Sequence, residues 1–367
     1  MEKVINLENG YEGLEKFLKE IKNKKILLVC EDYVKNLEIG KRFYSLPHIN
    51  VFSGFTPNPL YESVKKGIEA YKKNDCEMIL AIGGGSSLDV AKCIKLFKDV
   101  AENKNFLEEK IVPNDTLLVA IPTTAGTGSE VTRFAVIYYN GEKQSIKDDS
   151  IIPNVVIYDY RVLRSLSYYQ RCSTMLDAFC HSLESFWSIN SNSESHKYSK
   201  KALEMILKYK GEYLNNTDIG NKNMMEAARF SGCAINITET TAGHAMCYKL
   251  SSLYKISHGH AASLCVRELF PYMLDNLDKC IDKRGKDFLK GIFNDIKDIL
   301  KAKNNLEAVI LLQEFIDSLG LEPIYGKEED IEVLKKSVNP TRLKNNPISL
   351  DEETIEGLYK KIVKVKK

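Results

Sequence analysis

The sequence predicts an N-terminal α/β domain followed by an all-α domain. Short apolar runs, of the kind that form buried parallel strands, occur at Lys25–Cys30, Met78–Ile82, Leu117–Ile121 and Val155–Tyr158. Polar, periodic stretches such as residues 58–74 separate most of these runs, which is typical of helical crossovers in a parallel sheet. After about Arg161 apolar residues recur at intervals of three and four, and strand-like runs largely disappear. This change predicts domains at 1–162 and 163–367, with the boundary near Asp159–Ser165.

Composition excludes several classes of protein. The chain has 367 residues, of which 44% are hydrophobic and 28% are charged, and its formal net charge of +2 indicates no nucleic-acid partner. It contains no apolar run long enough to span a membrane, and its start lacks a signal-peptide core, so we expect a cytoplasmic protein. The nine cysteines include no CxxC pair, and Cys30 and Cys265 lie within apolar runs. We therefore expect reduced thiols and no disulfide framework.

A glycine-rich turn follows the second of the four apolar runs. Gly83, Gly84 and Gly85 are followed by Ser86 and Ser87 and then by a helical pattern. Glycines permit close backbone approach, and a helix N-terminus offers unpaired N–H groups to a pyrophosphate. The sequence matches neither GxGxxG nor a P-loop, so a turn that binds no ligand is the alternative.

A second polar loop follows the next apolar run. It carries the hydroxyl side chains of Thr123, Thr124, Thr127 and Ser129 around two glycines. Loops that leave adjacent parallel strands face the same edge of the sheet, where nucleotides bind. The two loops together therefore predict a nucleotide site.

Glu31 directly follows the first apolar run. A carboxylate at the end of such a strand can accept hydrogen bonds from ribose hydroxyls and repel a 2′-phosphate. This position predicts a preference for NADH over NADPH. The alternative is a solvated acidic residue in a loop.

Four residues in the second half of the chain have the spacing of a metal site. Asp177 and His181 are four residues apart on a helical pattern, which places them on one face. His244 and His258 are fourteen residues apart, a rise of about 21 Å on one straight helix, so the chain must bend between them. Three imidazoles and a carboxylate suit Fe²⁺, Zn²⁺ or a similar ion.

Taken together, these motifs resemble those of the iron-containing (group III) alcohol dehydrogenase family, whose fold is like that of dehydroquinate synthases. The matching segments are GGGSSLDVAK, PTTAGTGSEVT, DAFCHSLES and HAMCYKLSSLYKISHGHA, in this order, with FTPNP and NPTRLKNNP fitting the family's ends. The resemblance implies that Asp177, His181, His244 and His258 bind Fe²⁺, with Zn²⁺ as the other candidate. It implies NAD(H), with NADP(H) not excluded, at residues 83–86 and 123–127, with contributions from Asp89, Ser129 and Lys143. It also implies a homodimer.

One departure narrows the resemblance. Many family members have a second histidine four residues after the first in the HAMCY segment, where this chain has Tyr248. Three segments, HAMCYKL…HGHA, TRFAVIY and RLKNNP, are most similar to phosphonoacetaldehyde reductases. A phosphonate needs cations and N–H donors. Arg133 is the predicted principal contact, with help from Lys249 or His260, and Arg342 is a further candidate.

The predicted reaction is reversible hydride transfer between NAD(P)H and a small aldehyde, with phosphonoacetaldehyde giving 2-hydroxyethylphosphonate. Tyr248, His260 or water at the ion is the candidate proton donor. A general primary-alcohol or 1,3-propanediol dehydrogenase shares every metal and nucleotide residue and is the main alternative. A dehydroquinate synthase-type lyase and a non-catalytic NAD-binding protein are the remaining ones.

Overall fold

The structure is a computed structural model that describes residues 3–8, 10–101 and 103–365. The chain forms two compact units, Met1–Ser165 and Leu166–Lys367, called unit 1 and unit 2 below. Unit 1 is an α/β structure and unit 2 is mainly helical, so the predicted fold class is confirmed. The predicted domain boundary falls at 162/163, and the two units divide at 165/166.

Unit 1 is built on a parallel six-stranded sheet with the order β1-β8-β5-β4-β2-β3. These strands are β1 (Lys3–Asn6), β2 (Ile26–Cys30), β3 (Ile49–Phe52), β4 (Met78–Gly83), β5 (Leu117–Pro122) and β8 (Val155–Tyr158). The four apolar runs are strands β2, β4, β5 and β8, as the sequence predicts. All residues of β2 and β4 are buried, as expected for central strands covered on both faces.

Unit 1 also contains four α-helices and an antiparallel hairpin among its described residues. They are α1 (Glu12–Ile21), α2 (Glu38–Tyr44), α3 (Tyr61–Lys73) and α4 (Gly85–Phe97), with the hairpin strands β6 (Phe134–Tyr139) and β7 (Glu142–Lys147). The sequence predicts neither the hairpin nor the edge strands β1 and β3. These strands are only partly buried, so they lack the continuous apolar run that identifies the central strands.

The order of the strands creates a switch point beside β4. From β2 the chain continues to β3 on one side, whereas from β4 it continues through α4 to β5 on the other side. Cys30, the last residue of β2, is paired with Ile82 near the end of β4. The carboxyl ends of β2 and β4 therefore border the kind of crevice in which open α/β sheets bind ligands.

Among the residues that the structure describes, unit 2 contains ten α-helices, a short 3-10 helix (Leu277–Lys279) and one short ribbon. The helices are α5 (Tyr168–Trp187), α6 (Ser193–Leu214), α7 (Asp218–Thr238), α8 (Ala242–Tyr254), α9 (His258–Asp275), α10 (Lys286–Ile299), α11 (Asn305–Asp317), α12 (Glu328–Lys336), α13 (Pro340–Leu343) and α14 (Glu352–Ile362). Strands β9 (Ile324–Gly326) and β10 (Val363–Val365) pair in parallel. The sequence predicts unit 2 to be entirely helical, so this ribbon was not predicted. Strands of three residues are too short to leave a clear periodic pattern in the sequence.

Helix α5 forms the core of unit 2. Its N-terminus is fixed by a capping box, in which Gln170 N donates to Ser167 Oγ and Ser167 N donates to the Gln170 side chain. From Arg171 onward the helix is almost entirely buried against α6, α7 and α9. Polar side chains on this helix therefore lie in a nearly dry environment. Within the described parts of the chain, no helix has both the length and the apolar character needed to cross a lipid bilayer.

Candidate active site

The glycine turn of unit 1 leads directly from β4 into the first turn of α4. Gly83 ends β4, Gly84 is the N-cap of α4, and Gly85 is its first residue. No described side chain caps this helix, so its first N–H groups are not bonded to a capping group. These donors and the partial positive charge of the helix end suit a phosphate.

The second loop packs directly against this turn. Gly83 is paired with Pro122 across β4 and β5, and Thr123 N donates to Gly83 O at 3.0 Å. A Cβ on Gly85 would lie 2.9 Å from Thr127 Cγ2. The two loops therefore meet at one edge of the sheet, as the sequence predicts, and only glycine permits this contact. Thr124 makes a similar contact beside Gly84.

The end of β2 is connected to the second loop by a tyrosine. The hydroxyl groups of Tyr33 and Thr123 hydrogen-bond at 2.7 Å. Glu31 lies two residues before Tyr33, is half-buried, and has its pKa raised by burial. The structure thus places Glu31 at the switch point, where its sequence position predicts contact with a ribose.

Three further candidate nucleotide residues have partners within unit 1. Asp89 accepts hydrogen bonds from Ser129 Oγ at 2.8 Å and from Val136 N at 3.0 Å. Burial raises the pKa of Asp89, and the charges of Lys92 and Lys143 oppose this effect. Asp89 and Ser129 therefore help to fix the second loop on α4, and their contact with a nucleotide stays a prediction.

In unit 2 the predicted bend lies between His244 and His258. Helix α8 ends at Tyr254, Lys255 has a left-handed backbone with φ 54°, and α9 begins at His258. A Cβ on Gly259 would lie 2.0 Å from Ser173 O and 2.7 Å from Asp177 Cβ. Glycine at this position therefore allows the start of α9 to approach α5 closely enough for His258 to reach Asp177.

Asp177, His244 and His258 form a compact group of potential ligands. One ligand atom from each lies within 4.8 Å of the others. Asp177 Oδ1 is 3.6 Å from His244 Nε2 and 3.9 Å from His258 Nε2. Two ligands about 2.1 Å from one tetrahedral ion are separated by about 3.4 Å, so the observed spacing is close to that of a metal site.

His181 lies at the edge of this group. Its Nε2 is 3.9 Å from Asp177 Oδ1, and its ring stacks on the His244 ring with 4.4 Å between centroids. The structure thus brings all four predicted ligands together on α5, α8 and α9. The atoms of Asp177, His244 and His258 are the most closely grouped of the four. The assignment of all four residues as ligands stays a prediction.

Glu184 controls the orientation of His244. His244 Nδ1 donates to the Glu184 carboxylate, which also accepts from Thr241 Oγ1 at 2.8 Å. Trp187 Nε1 in turn donates to Thr241 Oγ1 at 2.9 Å. With Nδ1 occupied as a donor, the lone pair of His244 is on Nε2, toward Asp177. A carboxylate behind a histidine is a common outer partner of a metal ligand.

The electrostatics of the cluster favour a cation. Burial alone would raise the pKa of Asp177, but the three imidazoles, His181 most strongly, lower it below its usual range. Burial would lower the pKa of His244, yet Glu184 and Asp177 together raise it to about 9. Two buried carboxylates therefore favour a positive charge at His244 Nε2, which a proton or a metal cation can supply.

His258 is held from both sides by residues of α8. Cys247 Sγ lies 3.6 Å from His258 Nδ1 and 3.4 Å from His244 O. The Tyr248 ring stacks on the His258 ring at 5.7 Å with 6° between their planes. Burial raises the pKa of Tyr248 well above its ordinary value, opposed in part by the charge of Arg342. Tyr248 therefore lies beside the predicted metal ligand His258 but is a weaker acid than an ordinary tyrosine.

His260, the other candidate proton donor, is buried with an exposed fraction of 2%. Its Nδ1 lies 3.3 Å from Tyr169 Oη, which also accepts a hydrogen bond from Ser257 N at 3.0 Å. Burial lowers the pKa of His260. The ring is therefore neutral near pH 7 and is connected to Tyr169, a partly exposed residue.

Two of the candidate substrate cations already have carboxylate partners. Arg133, in unit 1, donates to Asp149 at 3.2 Å, and Arg342, in unit 2, pairs with Glu239. Lys249 is half-buried on α8. The sequence gives no sign of either ion pair, because the partners are far apart along the chain.

Glu184 and Lys92 are not among the residues that the sequence predicts for the site. Glu184 follows Asp177 by seven residues and His181 by three, so a polar stripe on an otherwise apolar helix could have identified it. Lys92 is a lysine within the apolar run of α4, and its Nζ donates to Ser129 O at 2.5 Å. A charged residue within an apolar helix is the signal for a buried partner.

Comparison with known proteins covers nearly the whole chain. The family model described as iron-containing alcohol dehydrogenase matches residues 2–160, and the one described as Fe-containing alcohol dehydrogenase family, C-terminal, matches residues 171–363. An NAD-dependent methanol dehydrogenase of Bacillus methanolicus is 28% identical over 87% of each chain. A 4-hydroxybutyrate dehydrogenase of Clostridium kluyveri is 27% identical over 91% of this chain and 96% of the relative.

Solved structures share the fold. A sulfoacetaldehyde reductase of Bifidobacterium kashiwanohense, in complex with NAD+, has a TM-score of 0.86 at 22% identity and covers 98% of this chain and 96% of its own. A 1,3-propanediol oxidoreductase has a TM-score of 0.84 at 22% identity, with coverages of 98% and 97%. Together with the two family models, the paired nucleotide loops and the Asp–His cluster, these similarities establish that the chain belongs to the iron-containing alcohol dehydrogenase family of oxidoreductases.

Proposed function

We propose that this oxidoreductase reduces phosphonoacetaldehyde to 2-hydroxyethylphosphonate with NADH. In the balanced reaction, the aldehyde takes a hydride from NADH and a proton from the protein or solvent, giving the primary alcohol and NAD+. The observation that carries the redox part of the proposal is the cluster of Asp177, His244 and His258 in a chain that also has two interlocked nucleotide loops.

The cluster fits a divalent ion, Fe²⁺ or alternatively Zn²⁺, held by Asp177, His181, His244 and His258. Asp177 Oδ1 and His244 Nε2 are buried, and neither has a hydrogen-bond partner among the described residues. Such atoms are costly to leave in a protein interior unless a ligand completes them. When bound, the ion acts as a Lewis acid that polarises the aldehyde oxygen.

The loops of unit 1 fit a dinucleotide. Backbone N–H groups at the start of α4 suit the pyrophosphate, and Thr123, Thr124 and Thr127 add hydroxyl donors. When bound, NADH supplies the hydride. Glu31 favours NADH, because a carboxylate repels a 2′-phosphate. We expect the unaltered enzyme to have a higher kcat/KM with NADH than with NADPH. In Glu31→Ala the difference between these two kcat/KM values should be smaller. A preference of the unaltered enzyme for NADPH would contradict this assignment.

The proton step is assigned to His260 in preference to Tyr248. Tyr248 has a strongly raised pKa, which makes it a poor donor near pH 7. His260 contacts Tyr169 Oη, and Tyr169 is 38% exposed, so this pair offers a proton route between the interior and solvent. His260, neutral near pH 7, acts as a relay in the proposed reaction: its Nδ1 accepts a proton from Tyr169 Oη as the ring releases the proton on Nε2, and Tyr169 regains a proton from solvent.

The anionic part of the substrate is assigned to Arg342 and Lys249, with Arg133 as the third candidate. Arg342 lies close enough to Tyr248 to affect its pKa, and Tyr248 stacks on His258. A phosphonate would compete with Glu239 for the Arg342 guanidinium, forming charge-assisted hydrogen bonds. The similarity to a sulfoacetaldehyde reductase, which is named for another anionic aldehyde, supports this class of substrate.

The decisive experiment compares phosphonoacetaldehyde with propanal in steady-state assays. We expect the unaltered enzyme to favour phosphonoacetaldehyde. Arg342→Ala should lower kcat/KM for it by roughly 10- to 100-fold and change the value for propanal much less. Glu239→Gln should act in the opposite direction, lowering KM for phosphonoacetaldehyde by about threefold, because it removes the competing carboxylate.

One control and one further test variant accompany this comparison. Arg267→Ala removes an arginine that is ion-paired with Asp317 at 2.8 Å. This control should leave kcat/KM unchanged for both aldehydes. Arg133→Ala tests the candidate in unit 1 in the same assay. Equal losses on both aldehydes in Arg342→Ala and Arg133→Ala, or a preference for propanal, would exclude the anion site.

A general primary-alcohol or 1,3-propanediol dehydrogenase is the second candidate. The observation that favours it is the ion pairing of Arg133 and Arg342, which leaves less cationic charge for an anionic substrate. If this function is correct, kcat/KM in the experiment above should be higher for propanal than for phosphonoacetaldehyde. Absence of NADH or NADPH oxidation with every aldehyde in a broad panel would overturn both candidates.

A further inference from the structure

Helix α4 carries two lysines whose side chains are almost completely buried. Lys92 has an exposed fraction of 0% and Lys95 of 3%. Burying an ammonium group is costly unless hydrogen bonds compensate for the lost water. The partners of the two lysines differ, and this difference indicates different roles.

Lys92 contacts the segment that follows the second nucleotide loop. Its Nζ donates to three backbone carbonyls, Ser129 O at 2.5 Å and Thr132 O and Phe134 O at 2.8 Å each. The hydroxyl oxygens of Ser129 and Thr132 lie 3.0 and 3.3 Å away. Five oxygen atoms therefore surround three N–H donors, an arrangement that a neutral side chain of similar size cannot satisfy.

Asp89 contacts the same segment one turn earlier on α4. It accepts from Ser129 Oγ at 2.8 Å and from Val136 N at 3.0 Å. Ser129 is thus bonded to both Asp89 and Lys92. The loop residues that precede it, Thr124 and Thr127, contact the glycines at the start of α4.

We propose that Lys92 is a positioning residue for the cofactor, which fixes the second loop against α4 so that both loops bind one dinucleotide. This inference rests on the proposed binding of NADH in unit 1. Lys92 does not itself contact the nucleotide in this proposal. It acts by holding the carbonyls of residues 129, 132 and 134, which sets the distance between the hydroxyl donors of the loop and the N–H donors of the helix.

Lys95 supplies a matched control on the same helix. Its Nζ is 3.3 Å from Asn154 Oδ1, next to the start of β8, and it has no hydrogen bond to residues 123–134 among the described residues. Lys95→Met and Lys92→Met remove the same charge from the same buried helix. Only Lys92→Met removes contacts to the nucleotide loop.

The test measures the dissociation constant of NADH by fluorescence titration, together with metal content, kcat and the free energy of unfolding. We expect Lys92→Met to raise the NADH dissociation constant and KM roughly tenfold, with kcat at saturating NADH and metal content nearly unchanged. Lys95→Met should alter the dissociation constant less than about twofold. A purely structural role would lower stability in both variants without this selective loss of NADH affinity.

Ser129→Ala provides a second variant if Lys92→Met does not fold. It removes one hydroxyl that contacts Lys92 and Asp89 and keeps the backbone carbonyl, so we expect an increase of about threefold in the NADH dissociation constant. Equal NADH affinity in the unaltered protein and in whichever of these variants folds would overturn the positioning role and leave the proposed function intact. Failure of the unaltered protein to bind NADH would overturn both.

Discussion

The proposed nucleotide loops of unit 1 and the proposed metal cluster of unit 2 offer different kinds of binding groups. In unit 1 these groups are mainly backbone N–H donors and hydroxyls, and a buried cation, Lys92, holds the backbone that carries them. In unit 2 they are imidazoles and a carboxylate, and a buried anion, Glu184, orients one of the imidazoles. In unit 1 the buried charge of Lys92 is positive, opposite to the charge of the expected phosphates. In unit 2 the buried charge of Glu184 is negative, opposite to the charge of the expected metal ion.

This difference follows from what must be fixed in each region. A site made of backbone groups requires fixed distances between two loops, which contacts to carbonyls and glycine–threonine packing provide. A site made of histidines requires a fixed ring orientation and tautomer, which a carboxylate on Nδ1 provides. A substitution in one region should therefore impair binding there and leave the other region intact.

The largest effect is expected when a ligand of the cluster is removed. His244→Ala and His258→Ala should each weaken metal affinity by more than about 100-fold, because a direct ligand contributes more than its outer partner. NADH affinity should change less than about twofold, since the nucleotide loops belong to unit 1. The measurements are metal content by mass spectrometry, turnover and NADH titration. Full metal occupancy and full turnover in both variants would refute the ligand assignment.

A smaller effect is expected for Glu184→Gln. The amide cannot supply the negative charge that orients and polarises His244, so metal affinity should fall about 10- to 100-fold. Competition with a chelator measures the affinity directly, without relying on activity. Glu204→Gln, at an exposed position on α6, is the control and should have no effect. If metal affinity is unchanged in Glu184→Gln, the charge of Glu184 does not contribute to metal binding.

In unit 1, Gly85→Ala should lower NADH affinity about tenfold without affecting metal content. The added methyl would meet Thr127 Cγ2 at 2.9 Å and force the two loops apart. Thr127→Ser removes that methyl, so the double variant should recover most of the affinity. Gly357→Ala, in α14 with no atom within 4 Å of the new Cβ, is the control and should be neutral or slightly stabilising. Lack of rescue by Thr127→Ser would contradict the proposed contact.

A last effect, on stability rather than on ligand affinity, concerns pH. Burial lowers the pKa of Lys92 from 10.5 to about 8, although Asp89 and Glu130 oppose the shift. Between these values the unfolded chain holds a proton that the folded protein has released, so the free energy of unfolding rises with pH. Between about pH 7.5 and about pH 9.5 the rise should be about 1–2 kcal/mol larger in the unaltered protein than in Lys92→Met. Urea titrations measure it, and identical pH slopes in the two proteins would contradict the buried ammonium.

The sequence alone determined the features that depend on local spacing. The central strands appear as continuous apolar runs, because both faces of a central parallel strand are buried. Asp177 and His181 share a face because they are four residues apart on a helix, and the bend before His258 follows from the length of a straight helix. The edge strands and the hairpin were missed because partial burial leaves no continuous apolar pattern.

Tertiary structure decided which distant groups meet. Lys92 and Ser129 are 37 residues apart, Glu184 and His244 are 60 apart, and Arg342 and Glu239 are 103 apart. No local period relates such residues, since their contact depends on how helices and loops pack. The same holds for Gly259, whose missing side chain matters only because α5 lies 2.0 Å from where its Cβ would be. Spacing along the chain thus identified the candidate ligands, and only packing in three dimensions could supply the buried charges that orient them.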